Sequence, residues 1–216
     1  MRISFPFFQI EQKRRGPQAL CMKTILWATL SANGNYARAT AAHPPRPEAT
    51  ADFATNALAH GNFIVGRRTF EAFQTQPARA GADGSAPVNP FARTTVIVVS
   101  TTLAVPNVPR VATPEAALAA LRERGHTTAL LAGGEQLHNA FLERDLVDEL
   151  LLNVVPTLED EGLKILLPKG NRRELELIGS RQLAAGIVQL HYALPRHQRP
   201  SVLTSVQLST RVERLA

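Results

Sequence analysis

The chain has 216 residues, of which 44% are hydrophobic and 19% charged, a balance that fits one large domain and excludes wholesale disorder. A single cysteine excludes an internal disulfide, and the apolar runs fall short of the roughly 20 residues that a spanning helix needs. The net charge of +6 belongs to the ends: 8 of the 24 Lys+Arg but only 2 of the 18 Asp+Glu lie in 1–21 and 196–216, leaving the middle neutral.

In chain order, 1–21 reads as an extension, expected to be disordered, before a domain over 22–195 and a basic tail over 196–216. Lys23–Leu30 is a β-branched and aliphatic run ending in the turn signal Ser31-Ala32-Asn33-Gly34, so it predicts a buried first strand. Ala39–Ala49, with Pro44, Pro45 and Pro47, predicts a loop. Ala51–His60 predicts a helix, with Phe53, Ala57 and Leu58 as its apolar positions and Gly61 as its stop. Asn62–Val65 is a short strand running into Gly66-Arg67-Arg68-Thr69, and Phe70 and Phe73 predict a helix from near Arg68. Gln74–Ala92 is loop by composition.

Thr94–Val99 and Val108–Val111 predict further strands. The next helix has Thr113 as N-cap, Pro114 as its first residue, Leu118 and Leu121 on its apolar face and Gly125 as C′. Thr127–Leu131 predicts a strand ending at Ala132-Gly133-Gly134, with Leu137, Phe141 and Leu142 marking another helix. Val147–Val155 is a strand stopped by Pro156, and Leu175–Leu183 with Ile187–Leu194 forms a hairpin around Ala184–Gly186. Ser201–Leu208 in the tail reads as an edge strand or as disorder. Strands alternating with helices, then strands alone, predict an α/β fold with a mixed, mostly parallel sheet and an antiparallel C-terminal edge.

Two glycine-marked transitions from strand to helix carry the chemistry. Helix starts expose free N–H groups and a positive dipole end, and the arginines and hydroxyl of Gly66-Arg67-Arg68-Thr69 suit phosphate there. Gly133-Gly134 lets a ligand approach the backbone closely. Each turn alone is better explained by tight geometry with solvated arginines; the two together favour a phosphate-bearing ligand. Nucleotide-loop, hydrolase and zinc-helix motifs are missing. His43, His60, His126, His138, His191 and His197 lack ligand spacing, so no metal is expected, and His138 reads as a packed or surface residue. Glu159-Asp160-Glu161 reads as a solvated acidic turn.

In order and spacing, these features resemble the dihydrofolate reductase-like family, including the riboflavin-biosynthesis (pyrimidine) reductase domain. The resemblance covers roughly Met22 to Leu194 and rests on the Ser31–Gly34 turn, on Gly66-Arg67-Arg68-Thr69-Phe70, and on Ser100 after its strand. Its strongest stretch is Ala132-Gly133-Gly134 through Phe141-Leu142, followed by Leu146-Val147-Asp148-Glu149-Leu150 and Pro156. The family implies a three-layer sandwich, NADPH as cofactor, and hydride transfer to a pterin- or pyrimidine-like heterocycle, as in 5-amino-6-(5-phosphoribosylamino)uracil reductase activity. By position the resemblance places Arg67 near the 2′-phosphate, and Gly66, Arg68 and Thr69 at the pyrophosphate. Ser100 and Thr101 would flank the adenosine, Gly133, Gly134 and Gln136 would lie under the cofactor, and Ala28 would offer its backbone to the nicotinamide. It places Ser31, Asn33 and Asp52 at the substrate, with Asp52 also assisting protonation. The chain departs from folate reductases in carrying Trp27 inside the first strand, and from riboflavin reductases in its proline-rich His43–Ala49.

The leading expectation is an NADPH-dependent reductase acting on a small molecule in the cytoplasm, without membrane or nucleic acid as partner. The alternative is a cofactor-binding module of the same fold without turnover. Nucleic-acid binding through the basic ends ranks last, because the middle is neutral and only 6% of residues are aromatic. A homodimer is expected, pairing through a sheet edge supplied by Val147–Val155 or by the tail.

Overall fold

The apolar run at the start of the domain forms strand β1 (Lys23–Ser31), which becomes the centre of an eight-stranded sheet. A computed structural model describes residues 22–37, 45–75, 91–102, 108–160 and 162–195. The extension, the tail and positions 76–90 of the long loop lie outside the described residues. After β1 come α1 (Pro47–His60), β2 (Asn62–Gly66), α2 (Arg67–Thr75), β3 (Thr95–Val99), β4 (Arg110–Val111) and α3 (Pro114–Glu123). Then follow β5 (Thr128–Leu131), α4 (Glu135–Glu143), β6 (Glu149–Val155), β7 (Glu176–Gln182) and β8 (Val188–Ala193).

The strand order is β4-β3-β2-β5-β1-β6-β8-β7. The pairs from β4 through β6 are parallel, and those of β8 with β6 and β7 are antiparallel. Alternation along β1 sends Ile25 to one face, where Phe53 and Ala57 of α1 and Phe70 of α2 pack. Leu26, Ala28 and Leu30 face the other side, against Leu118 and Leu121 of α3 and Leu137 and Phe141 of α4. These are the three layers of a dihydrofolate reductase-like sandwich. No helix among the described residues is long and apolar enough to cross a membrane.

Capping chemistry sets the helix ends where composition placed them. Thr113 accepts the Ala116 N–H at 3.2 Å, and Gly125 after α3 has φ +82°. Three expectations are corrected. Helix α1 begins inside the supposed loop, because Pro47 sits in its first turn, where a missing N–H costs nothing. Leu58 is 53% exposed, being one position off the face that carries Phe53 and Ala57. Val147–Val155 is no sheet edge: β6 pairs with β1 on one side and β8 on the other. The long outer edge is β7, bulged between Leu177 and Gly179.

Phe63 on β2 is buried against the rings of Phe53, Phe73 and Phe91. Phe63→Ala is expected to cost about 3–5 kcal/mol in urea unfolding, whereas Leu58→Ala stays within about 0.5 kcal/mol.

Candidate active site

The glycine turns lie side by side because β2 and β5 are neighbours, with Ile64 paired to Leu131. A Cβ built on Gly134 would sit 3.7 Å from the Thr69 hydroxyl, and one on Gly66 would sit 3.7 Å from Leu137 Cβ. Gly66 pairs with Val99, which puts Ser100 and Thr101 at the next strand end. Gln136 is exposed in the first turn of α4, whose N-cap Gly134 supplies no side-chain acceptor to that turn's N–H groups. Gly66, Arg67, Arg68, Thr69, Ser100, Thr101, Gly133, Gly134 and Gln136 therefore gather at the carboxyl ends of adjacent parallel strands, where α/β sheets bind ligands. Arg67 Nη1 already meets both Glu71 oxygens at 3.1 Å, while Arg68 is exposed with no ion pair among the described residues.

Beside these turns β5 leaves the sheet. Its last pair with β1 is Leu26–Leu131, and β1 runs on to Ser31. Lys23 donates its N–H to the Thr127 carbonyl, and the Thr24 carbonyl accepts from Asp148 N–H, so odd positions of β1 face β5 and even ones face β6. The Ala28 backbone accordingly points to β6, and the Trp27 carbonyl and Thr29 N–H point to the crevice, whereas farther along the Thr29 carbonyl accepts from Ala37 N–H at 3.0 Å and Ser31 N–H donates to the Asn35 carbonyl at 2.8 Å. The N–H that would continue the ladder to Trp27 belongs to Gly133, and it donates to His138 Nε2 at 3.1 Å. Gly133 is also a packing requirement, since a Cβ there would meet Leu137 Cδ2 at 2.3 Å.

His138 is fully buried, and burial pushes its pKa down to about 3, against the opposing pull of a bond with the Leu131 backbone. With Nε2 accepting from Gly133, the ring proton sits at Nδ1, 2.6 Å from the Tyr36 hydroxyl. Burial, with a smaller push from Glu135, raises the Tyr36 pKa.

The substrate-side residues fall into separate groups. The Ser31 hydroxyl donates to Asn33 Oδ1 at 2.8 Å, and Asn33 Nδ2 donates to the Glu159 carbonyl at 2.6 Å. Both residues thus tie the end of β1 to the segment after β6. Asp52 instead lies on the buried face of α1, with only 4% of its side chain exposed. Its Oδ2 accepts from Trp27 Nε1 at 2.8 Å, Gln189 Nε2 at 2.8 Å and Asn153 Nδ2 at 3.2 Å. Its Oδ1 accepts from Arg181 Nη2 at 2.6 Å. Asn153, Gln189 and Arg181 escaped the sequence reading, although Asn153 and Gln189 carry a recognisable signal as polar residues inside apolar strands. Among the described residues no acidic, histidine and cysteine cluster could hold a metal.

The sequence model of the RibD C-terminal domain matches residues 23–189, from the first residue of β1 into β8. The chain belongs to the RibD C-terminal domain family. Solved structures share its fold. RibD of Acinetobacter baumannii superposes with a TM-score of 0.62 at 17% identity, over 82% of this chain and 59% of that one. A pyrimidine reductase-like protein of Corynebacterium diphtheriae gives 0.60 at 13% identity, over 81% and 92%. The uncharacterized protein YwjB of Bacillus subtilis is 32% identical over 74 residues, 34% of this chain and 42% of that relative. This RibD C-terminal domain thus spans less than two thirds of both YwjB and the Acinetobacter protein.

Because the folded domain keeps His138 neutral, its contribution is whole above pH 6.5 and drains as pH falls from 6.5 toward 3. The slope is about 1.4 kcal/mol per pH unit for one proton. His138→Gln is expected to flatten the acid limb of urea-unfolding stability by that proton, and an unchanged limb would place the titration elsewhere.

Proposed function

We propose that the protein is an NADPH-dependent reductase that transfers hydride to a small pterin- or pyrimidine-like heterocycle. The observation that carries this is the pairing of two glycine-marked helix starts beside a β1 edge that β5 has vacated. The residues present fit a dinucleotide. The start of α4, which has no side-chain cap, with Thr69 and the exposed Arg68 suits a pyrophosphate, Ser100 and Thr101 flank the adenosine end, and the Trp27 carbonyl faces the place for a carboxamide. When bound, the cofactor supplies the hydride.

The chain's own residues orient the reactants. Reduction would place the hydride on the carbon of a C=N or C=O bond and leave the heteroatom to take a proton from water. Asp52 enters as the anchor of the substrate half, holding the Trp27 indole and the Arg181 guanidinium in place. Ser31 and Asn33 shape the far wall of the crevice.

A charge-assisted hydrogen bond is worth roughly 1.5–3 kcal/mol, a factor of about 10 to 150 in affinity. Arg67 must leave Glu71 to meet a 2′-phosphate, so Arg67→Ala is expected at the low end, weakening NADPH about tenfold and leaving NADH nearly unchanged in fluorescence titration. Equal loss of both cofactors moves Arg67 to the pyrophosphate, and loss of neither assigns the 2′-phosphate to Arg68. No binding of either cofactor refutes the proposal, and binding without NADPH oxidation across pterins, pyrimidines and quinones makes the protein a non-turnover module.

The homodimer also stands as a proposal, with its edge moved to β7, beside which Leu175, Leu177, Ile178 and Val188 are exposed. Ile178→Lys is expected to convert a dimer to monomer in light scattering, and a wild-type monomer at tens of micromolar refutes pairing.

A further inference from the structure

Tyr36 and His138 are buried titratable groups to which the hydride transfer assigns no step. Their contact joins residues 102 apart in the chain, and its two ends belong to different borders of the crevice. Tyr36 lies on the short segment that pairs with the end of β1. Leu30 and Tyr36 form an antiparallel bridge, flanked by the bonds from Ser31 N–H to the Asn35 carbonyl and from Ala37 N–H to the Thr29 carbonyl. Tyr36 N–H also donates to the Leu163 carbonyl at 2.8 Å, so the segment after β6 is held at the same point. His138 lies in the first turn of α4, with its Nε2 on the Gly133 N–H.

The pair has a polarity. A neutral imidazole has one donor and one acceptor nitrogen, and exchanging them moves a proton without moving a heavy atom. With the proton at Nδ1, the ring donates to the Tyr36 oxygen and accepts from Gly133. With the proton at Nε2, two donors meet at Gly133 and that contact is lost. The Leu131 backbone, another hydrogen-bonding neighbour of the ring, offers a carbonyl to a proton so moved. Tyr36 weights the balance toward Nδ1 because its oxygen is the acceptor there. Without that oxygen an Nδ1 proton becomes an orphaned buried donor, which proteins tolerate less well than an orphaned acceptor.

We propose that Tyr36 is a positioning residue for the glycine turn, holding His138 in the tautomer that keeps the Gly133 N–H away from the Trp27 carbonyl. Released from the ring, that N–H is the donor that would extend the β5 ladder and narrow the opening along β1. One buried pair thus makes the segment over the end of β1 and the turn at the start of α4 a single unit. The tautomer assignment needs only this chain, whereas its effect on a dinucleotide rests on the reductase reading.

The test is a double-mutant cycle on the full chain with Tyr36→Phe and His138→Gln. It is read by nitrogen NMR of the imidazoles and of the Gly133 amide, and by fluorescence titration with NADPH. Glutamine can accept from Gly133 through its carbonyl but cannot exchange donor and acceptor. In the wild type, the ring signal that His138→Gln removes is expected to show a protonated Nδ1 and a bare Nε2. Tyr36→Phe is expected to move the proton to Nε2, shift the Gly133 amide and weaken NADPH about 2- to 10-fold. In the His138→Gln background the same substitution is expected to leave the Gly133 amide and the NADPH affinity unmoved. A tyrosine that only packs would change neither tautomer nor amide. A proton at Nε2 in the wild type, an unmoved ring in Tyr36→Phe, or a moved ring with NADPH affinity intact overturns the inference. If Tyr36→Phe does not fold, the wild-type ring decides, Nδ1 sustaining the inference and Nε2 removing it. A wild type that binds no NADPH refutes the reductase reading instead, and the ring and Gly133 signals then judge the positioning alone.

Discussion

The departure of β5 from β1 after Leu131 is the constraint on which the site depends. A parallel strand that stops short leaves its neighbour's backbone groups facing an opening, and here the opening is short, at Trp27 and the Thr29 N–H, because Asn35–Ala37 pairs with the end of β1. The opening persists because the next ladder donor, the Gly133 N–H, is captured by His138. Burial keeps that imidazole neutral and therefore able to accept. A histidine in the core, remote from solvent, thus holds a turn open at the surface.

The crevice divides the molecule chemically. Toward β2 and β3 it is bounded by helix starts, glycines and arginines, a setting made for negative charge. Toward β6, β8 and β7 it is bounded by side chains gathered on Asp52. A carboxylate so deeply buried requires a full set of donors, and the structure draws them from β1, β6, β7 and β8. The antiparallel hairpin is thereby tied to α1 by hydrogen bonds, in addition to its strand ladder with β6.

Most of the fold was legible in local chemistry. Strands declared themselves as β-branched runs, and α3 by Thr113, Pro114 and Gly125. The start of α1 was misread because proline breaks helices in their interior but is accepted in their first turn. The sheet edge was misread because strand order does not follow chain order: β8 inserts beside β6 and pushes β7 outward.

The glycine turns were visible in sequence because a strand-to-helix turn has a compositional signature within a few residues. Their adjacency was not, since it follows from β2 and β5 being neighbours despite the α2–α3 segment between them. The same limit hid the Asp52 network, whose members stand at 27, 52, 153, 181 and 189. Nor could sequence show which backbone faces the crevice, because parity along β1 is set by its pairing with β5 and β6. Sequence by itself determined the elements, their caps and the family, because those depend on neighbours along the chain. Tertiary structure alone decided which strand ends meet, which donors satisfy a buried carboxylate and which groups stay open, because hydrogen bonds are completed by whatever lies near in space.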